Sequence, residues 1–189
     1  MAEKYDVSTL SVETILGYIK SGELATPEIQ RPFVWKPRQV RDLIDSLYTG
    51  YPTGYLIISQ NPDMKLKDGS LSVGKKVMID GQQRTTAMMT AIAGLEVIMD
   101  DFSKKRIKIA FNPLLPEDSE EERFKVQDNA VLRDKRWISD ISEIFDTNFN
   151  LWDYSAKYAE ETPGMSGSQI SAAIMKLLNI KNRNIGVIT

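Results

Sequence analysis

The ten residues Val77 to Thr86, VMIDGQQRTT, constrain the fold of this chain more than any other stretch. Val77, Met78 and Ile79 make a short apolar run suited to a buried strand, and Asp80-Gly81 is a turn pair. Ala87, Met88, Ala91, Ile92 and Leu95 then recur at helical spacing. A strand that turns directly into a helix aims unpaired backbone N–H groups and the positive end of the helix dipole at one place, which suits an anion such as phosphate. Gly81 would let a ligand approach the backbone, Gln82 and Gln83 add amide donors, Arg84 a planar fork, and Thr85 and Thr86 hydroxyls. Asp80 is the one acid there, available to hold Mg²⁺ or to orient a water. The same letters also spell a capping box, with Asp80 as the cap, Gln83 three residues on, and Arg84 paired with a surface acid. The density of Gln-Gln-Arg between two apolar elements favours the ligand, because such groups need partners.

Composition narrows the chemistry. The 189 residues contain no Cys and no His, which removes thiol nucleophiles, disulfides, imidazole bases and the commonest transition-metal ligands. Chemistry is left to Asp, Glu, Lys, Arg, Tyr, amides, water or a hard cation. With 24 basic and 26 acidic residues the net charge is -2, so the chain is not expected to coat DNA by bulk electrostatics. No apolar run approaches the roughly 18 residues that span a bilayer, and MAEKYDVSTL lacks the pattern of a secretory signal; a cytoplasmic protein with no membrane partner is expected.

The flanking elements predict an α+β domain. Ser11 caps a first helix, with Leu10 and Ile15 as its hydrophobic staple and Gly22 as its stop. Pro27 and Pro32 hold the next segment extended, and Pro37 opens a helix with Val40, Leu43, Ile44 and Leu47 on one face, ended by Gly50 and Pro52. Gly54 to Ser59 reads as a buried strand, Ile107 to Phe111 as a strand with one solvated face, and Phe124 with Val126 as another. An acidic surface loop, Pro116 to Glu122, lies between the last two. Trp137, Ile138, Ile141 and Ile144 suggest a short helix, and Ile170, Ala173, Ile174, Leu177 and Leu178 a longer one. Asn184 to Thr189 reads as a strand beginning, so the chain is expected to be part of a longer protein.

A second polar constellation, Gln30, Arg31, Trp35, Lys36, Arg38 and Arg41, mixes cations with an aromatic ring as nucleotide and nucleic-acid sites do. Its bland reading is that Phe33, Val34 and Trp35 plug the core with solvated cations around them. Lys104, Lys105, Arg106 and Lys108 read as solvated surface, and Trp152 with Tyr154 as core.

Together PEIQRPFVWKPRQVRDLIDSLYTGYPTG and VMIDGQQRTTAMMTAI resemble the N-terminal domain family of GmrSD-type restriction endonucleases, related to the ParB and sulfiredoxin fold. The resemblance is close over about Ser8 to Ile98. It implies a ParB-like core of a small mixed sheet packed with helices over 1–115. A further strand and a C-terminal helical annex over 116–189 would extend the same domain. It also implies a nucleoside triphosphate of undetermined base with Mg²⁺ at the DGQQR motif. Asp80, Gln82, Gln83 and Arg84 would carry its hydrolysis, Gly81 and Thr85 would bind it, and Gln30 and Arg31 would lie beside it. The expected role is a sensor in anti-phage restriction, with DNA and a nuclease domain or subunit as partners, a homo-oligomer as one assembly, and no nuclease activity of its own. The rival reading is a non-catalytic module for assembly or for sensing modified DNA, with Trp35, Lys36 and Arg38 on the nucleic acid. An inert truncated fold is the third.

Overall fold

The computed structural model describes residues 5–25, 32–60, 63, 65–66 and 69–189. Ile29, Gln30 and Arg31 therefore lie outside the described residues.

The architecture is α+β. Strands β1 (Val7–Ser11), β2 (Leu24–Ala25), β3 (Tyr55–Ser59) and β4 (Lys76–Asp80) join β9 (Asn184–Ile188) in a mixed sheet of order β1-β9-β3-β4-β2. β9 runs antiparallel to β1 and parallel to β3, β3 is antiparallel to β4, and β4 is parallel to β2. Small two-stranded pairings link β5 (Val97–Ile98) with β6 (Lys104–Lys105) and β7 (Ile109–Phe111) with β8 (Phe124–Val126).

Helices α1 (Val12–Ser21), α2 (Pro37–Thr49) and α3 (Gln82–Ala91) share one core with the sheet. Ile15, Ile44 and Met88 meet Leu56, Ile58, Val77, Ile185 and Val187 there. Local signals place the helix ends as read: the Ser11 hydroxyl accepts from the Thr14 N–H at 3.1 Å, Pro37 opens α2, and Gly22 and Gly50 take left-handed conformations just past α1 and α2. The short helix α4 (Asn129–Arg133) and the paired helices α5 (Leu151–Glu161) and α6 (Gly167–Leu178) complete the molecule.

Several expectations give way. β3 is not buried on both faces, since Tyr55 and Ile57 point to solvent while Leu56 and Ile58 enter the core. β7 has no solvated face: Ile109, Ala110 and Phe111 are all buried, with Phe111 in a ring cluster with Tyr48 and Phe124. The helix expected around Trp137 shrinks to a 3₁₀ turn, Ile141–Glu143, because Ile138 is spent on a bridge to Phe111. Leu95 lies beyond α3 and is exposed, as is Trp152. Arg106 is not a solvated cation: it donates to the buried carboxylate of Asp140 at 2.6 Å, beside Ser142, where an unpaired charge would be costly.

Candidate functional site

The junction between β4 and α3 is where the sequence concentrates its polar groups, and its geometry differs from a capping box. Asp80 is the last residue of β4, and Gly81, at φ 99°, takes the position before the helix. Gly81, in the cap position, has no side chain with which to cap the first turn of α3. Two constraints exclude a larger residue at 81: the left-handed backbone, and Leu56 Cδ2, which an added Cβ would overlap. The glycine thus serves the packing of the sheet against the helix start.

The helix sorts the motif by direction. Gln83, at the second position rather than the third, reaches across to the segment before α2. Its amide donates to the Pro32 carbonyl and accepts from the Val34 N–H, both at 3.0 Å. Phe33, between them, is buried and donates its own N–H to the Ile98 carbonyl at 3.2 Å, so this segment is held from two sides. Arg84 points the opposite way. Its guanidinium donates to the Thr53 carbonyl at 2.8 Å and the Tyr55 carbonyl at 2.6 Å, and meets the Asp80 carboxylate at 3.3 Å. Gly54 makes room for it, since a Cβ there would sit 2.6 Å from Nη1. The Arg84 side chain keeps 18% of its exposure, whereas Asp80 keeps 67%.

The third direction is open. Gln82, Thr85, Thr86 and Met89, spaced three and four apart, line a cavity of about 440 Å³ with Leu24, Phe33, Met78, Lys75 and Glu96. Thr85 is buried and its hydroxyl donates to the Gly81 carbonyl at 3.1 Å, so the free hydroxyl is that of Thr86. Neither Asp80 nor Arg84 borders this cavity. Lys75, Met89 and Glu96 were missed from sequence; Met89 could have been found from its spacing to Gln82 and Thr86, the other two only from the sheet.

The described members of the second constellation, Trp35, Lys36, Arg38 and Arg41, do not gather into one site. Trp35 is half-buried against the core, and Arg41 is consumed by Glu122 at 2.6 Å and Asp42 at 2.7 Å. Lys36 and Arg38 are exposed at the start of α2, where the Lys36 N–H is capped by Gln39 at 2.9 Å. Among the described residues, no three acidic side chains converge on a place where they could share a metal ion.

The family model described as "GmrSD restriction endonuclease, N-terminal domain" matches residues 12–184. The chain belongs to this family. No curated protein matches it. As a GmrSD N-terminal domain it is part of a restriction enzyme, and the matched span takes in all of α1 to α6 and ends at the start of β9. No helix among the described residues is long and apolar enough to cross a membrane.

Proposed function

We propose that this GmrSD N-terminal domain is the nucleotide-binding sensor of its restriction enzyme, and that a nucleoside triphosphate occupies the cavity beside α3. The observation that carries this reading is the meeting of that cavity with an uncapped helix start. At about 440 Å³ it lies in the range of small-molecule sites, roughly 300 to 1,000 Å³. Leu24, Phe33, Met78 and Val97 offer apolar walls to a base, while Lys75, Gln82 and Thr86 offer a charge and donors to phosphate oxygens. Gln82 is the amide on hand to orient a water for hydrolysis; Gln83 holds the Pro32 to Val34 segment that walls the cavity, and Arg84 anchors the helix start to β3 from outside it. DNA and the nuclease partner are assigned to the full-length enzyme.

Asp80 is poorly placed to hold Mg²⁺. Asp80 offers one carboxylate, outside the cavity and already opposite Arg84. Protein sites for Mg²⁺ ordinarily combine one or two carboxylates with substrate phosphates, so the ion would arrive with the triphosphate, and Glu96 is the carboxylate in the cavity lining that could meet it.

Isothermal calorimetry with each of the four ribonucleoside triphosphates in Mg²⁺ buffer tests the reading. At least one is expected to bind, with affinity reduced about tenfold by Gln82→Ala or Thr86→Val. Silence from all four would sink it, and binding without phosphate release would leave a sensor that does not hydrolyse.

A further inference from the structure

Strands β5 and β6 form a hairpin, with Val97 opposite Lys105 and Ile98 opposite Lys104. Two backbone bonds close its tip: the Phe102 N–H donates to the Met99 carbonyl at 3.0 Å, and the Met99 N–H to the Ser103 carbonyl at 2.9 Å. A turn of this kind ends on one left-handed residue, a position where glycine is the unstrained choice. Here the residue is Phe102, at φ 60°, the one non-glycine residue with positive φ among those described. Asp101 holds the turn by accepting from the Ser103 N–H at 2.9 Å and from the Ser103 hydroxyl.

Burial of the side chain would offset such strain, and Phe102 has none to offer. Its ring is 82% exposed, more than any other large apolar side chain described. A bulky residue that is both strained and solvated gives the fold nothing that glycine would not give better. A solitary exposed apolar residue is ordinary; the added strain is what calls for a use outside the fold.

The surroundings of the ring are basic. Lys104 and Lys105 follow it on β6, both exposed. Phe33 bridges Met99 in parallel, so the segment leading into α2 runs the same way as the turn and brings exposed Lys36 and Arg38 to this side of the molecule. Lys36, three residues past Phe33, lies within roughly 15 Å of Met99. Lys105 shares the Asp101 carboxylate at 3.4 Å, and Glu122, the acid near Arg38, is engaged by Arg41 at 2.6 Å. With exposed Asp100 included, four cations stand against two acids on the hairpin, in a chain whose acids outnumber its bases.

We propose that this hairpin tip is a contact for duplex DNA, in which Phe102 wedges between two base pairs while Lys36, Arg38, Lys104 and Lys105 meet the flanking phosphates. The cations select a polyanion and the ring selects stacked bases; the substrate of a restriction enzyme, to which this domain belongs, has both. Phe102, Lys104 and Lys105 do not border the cavity beside α3, so the contact does not depend on a nucleotide there.

Anisotropy of a labelled duplex of about 20 base pairs, titrated with the whole chain at about 50 mM salt, tests the proposal. Phe102→Gly is expected to weaken binding about tenfold without lowering the melting temperature, because it relieves the left-handed strain; a residue needed only by the fold would lower both. Lys104→Ala should reduce the slope of log affinity against log salt by about one, a slope that Phe102→Gly leaves unchanged. 2-Aminopurine in the duplex should brighten with the unmodified chain, as a base step unstacks, and stay dim with Phe102→Gly. The proposal is overturned if the duplex is not bound at tens of micromolar chain, if Phe102→Gly binds at full affinity, or if the tip captures anionic lipid vesicles in place of DNA.

Discussion

The two sides of α3 use the same kind of residue for opposite ends. On the β3 side, Arg84 has its donors fixed on the carbonyls of Thr53 and Tyr55 and lies against Gly54, leaving little for a ligand. On the cavity side, Gln82 and Thr86 have open space in front of them. Three consecutive polar residues, Gln82, Gln83 and Arg84, thus divide into one facing the cavity and two that lock neighbouring segments in place. Polar density at a strand–helix junction does not by itself distinguish a ligand site from a set of struts; the direction each side chain leaves the helix does.

That division can be broken by substitution. The largest loss is expected for Gly81→Ala, which adds backbone strain at φ 99° to an overlap with Leu56. Urea unfolding should show about 3 kcal/mol of lost stability. Arg84→Ala should come next, at about 2 kcal/mol, because two carbonyls lose a charged donor. Arg84→Lys should recover only part of this, as one ammonium cannot copy the fork. Gln83→Ala should cost about 1 kcal/mol and release the Pro32 to Val34 segment, read as faster amide exchange at Val34. The smallest stability effect, within about 0.5 kcal/mol, is expected for Gln82→Ala and Thr86→Val, although these should reduce a nucleotide-induced rise in melting temperature. If Gln82→Ala destabilised the fold as much as Arg84→Ala, the distinction between the two sides would collapse.

Much of the helical frame was legible because its signals are local. Ser11, Pro37, Gly22 and Gly50 act within one turn of where they stand, and the Val40 to Leu47 stripe needs no partner to be recognised. What failed depended on distant residues. Asp80-Gly81 spells a cap or a left-handed turn equally well, and Leu56, across the sheet, decides between them. β1 escaped notice because VSTLS has only two apolar residues, and its place in the sheet is set by β9, far along the sequence. Helix α5 exposes Trp152 in its first turn and is fully buried only at Ser155 and Tyr158, so its apolar stripe is thin. The candidate site was legible as a location; the allocation of its side chains to a cavity or to struts came only with the fold.

The position of β9 between β1 and β3 also governs how the molecule is made. Strands β1 and β3 do not touch one another in the sheet; each is joined to β9. At ribosomal speeds of about 5 to 20 residues per second, roughly ten seconds separate the emergence of Ser59 from that of Asn184. Throughout that interval the nascent chain exposes two strands that have no partner between them. Sheet closure is consequently a late event, and a ribosome stalled short of Asn184 would hold an open, adhesive intermediate for chaperones to shield.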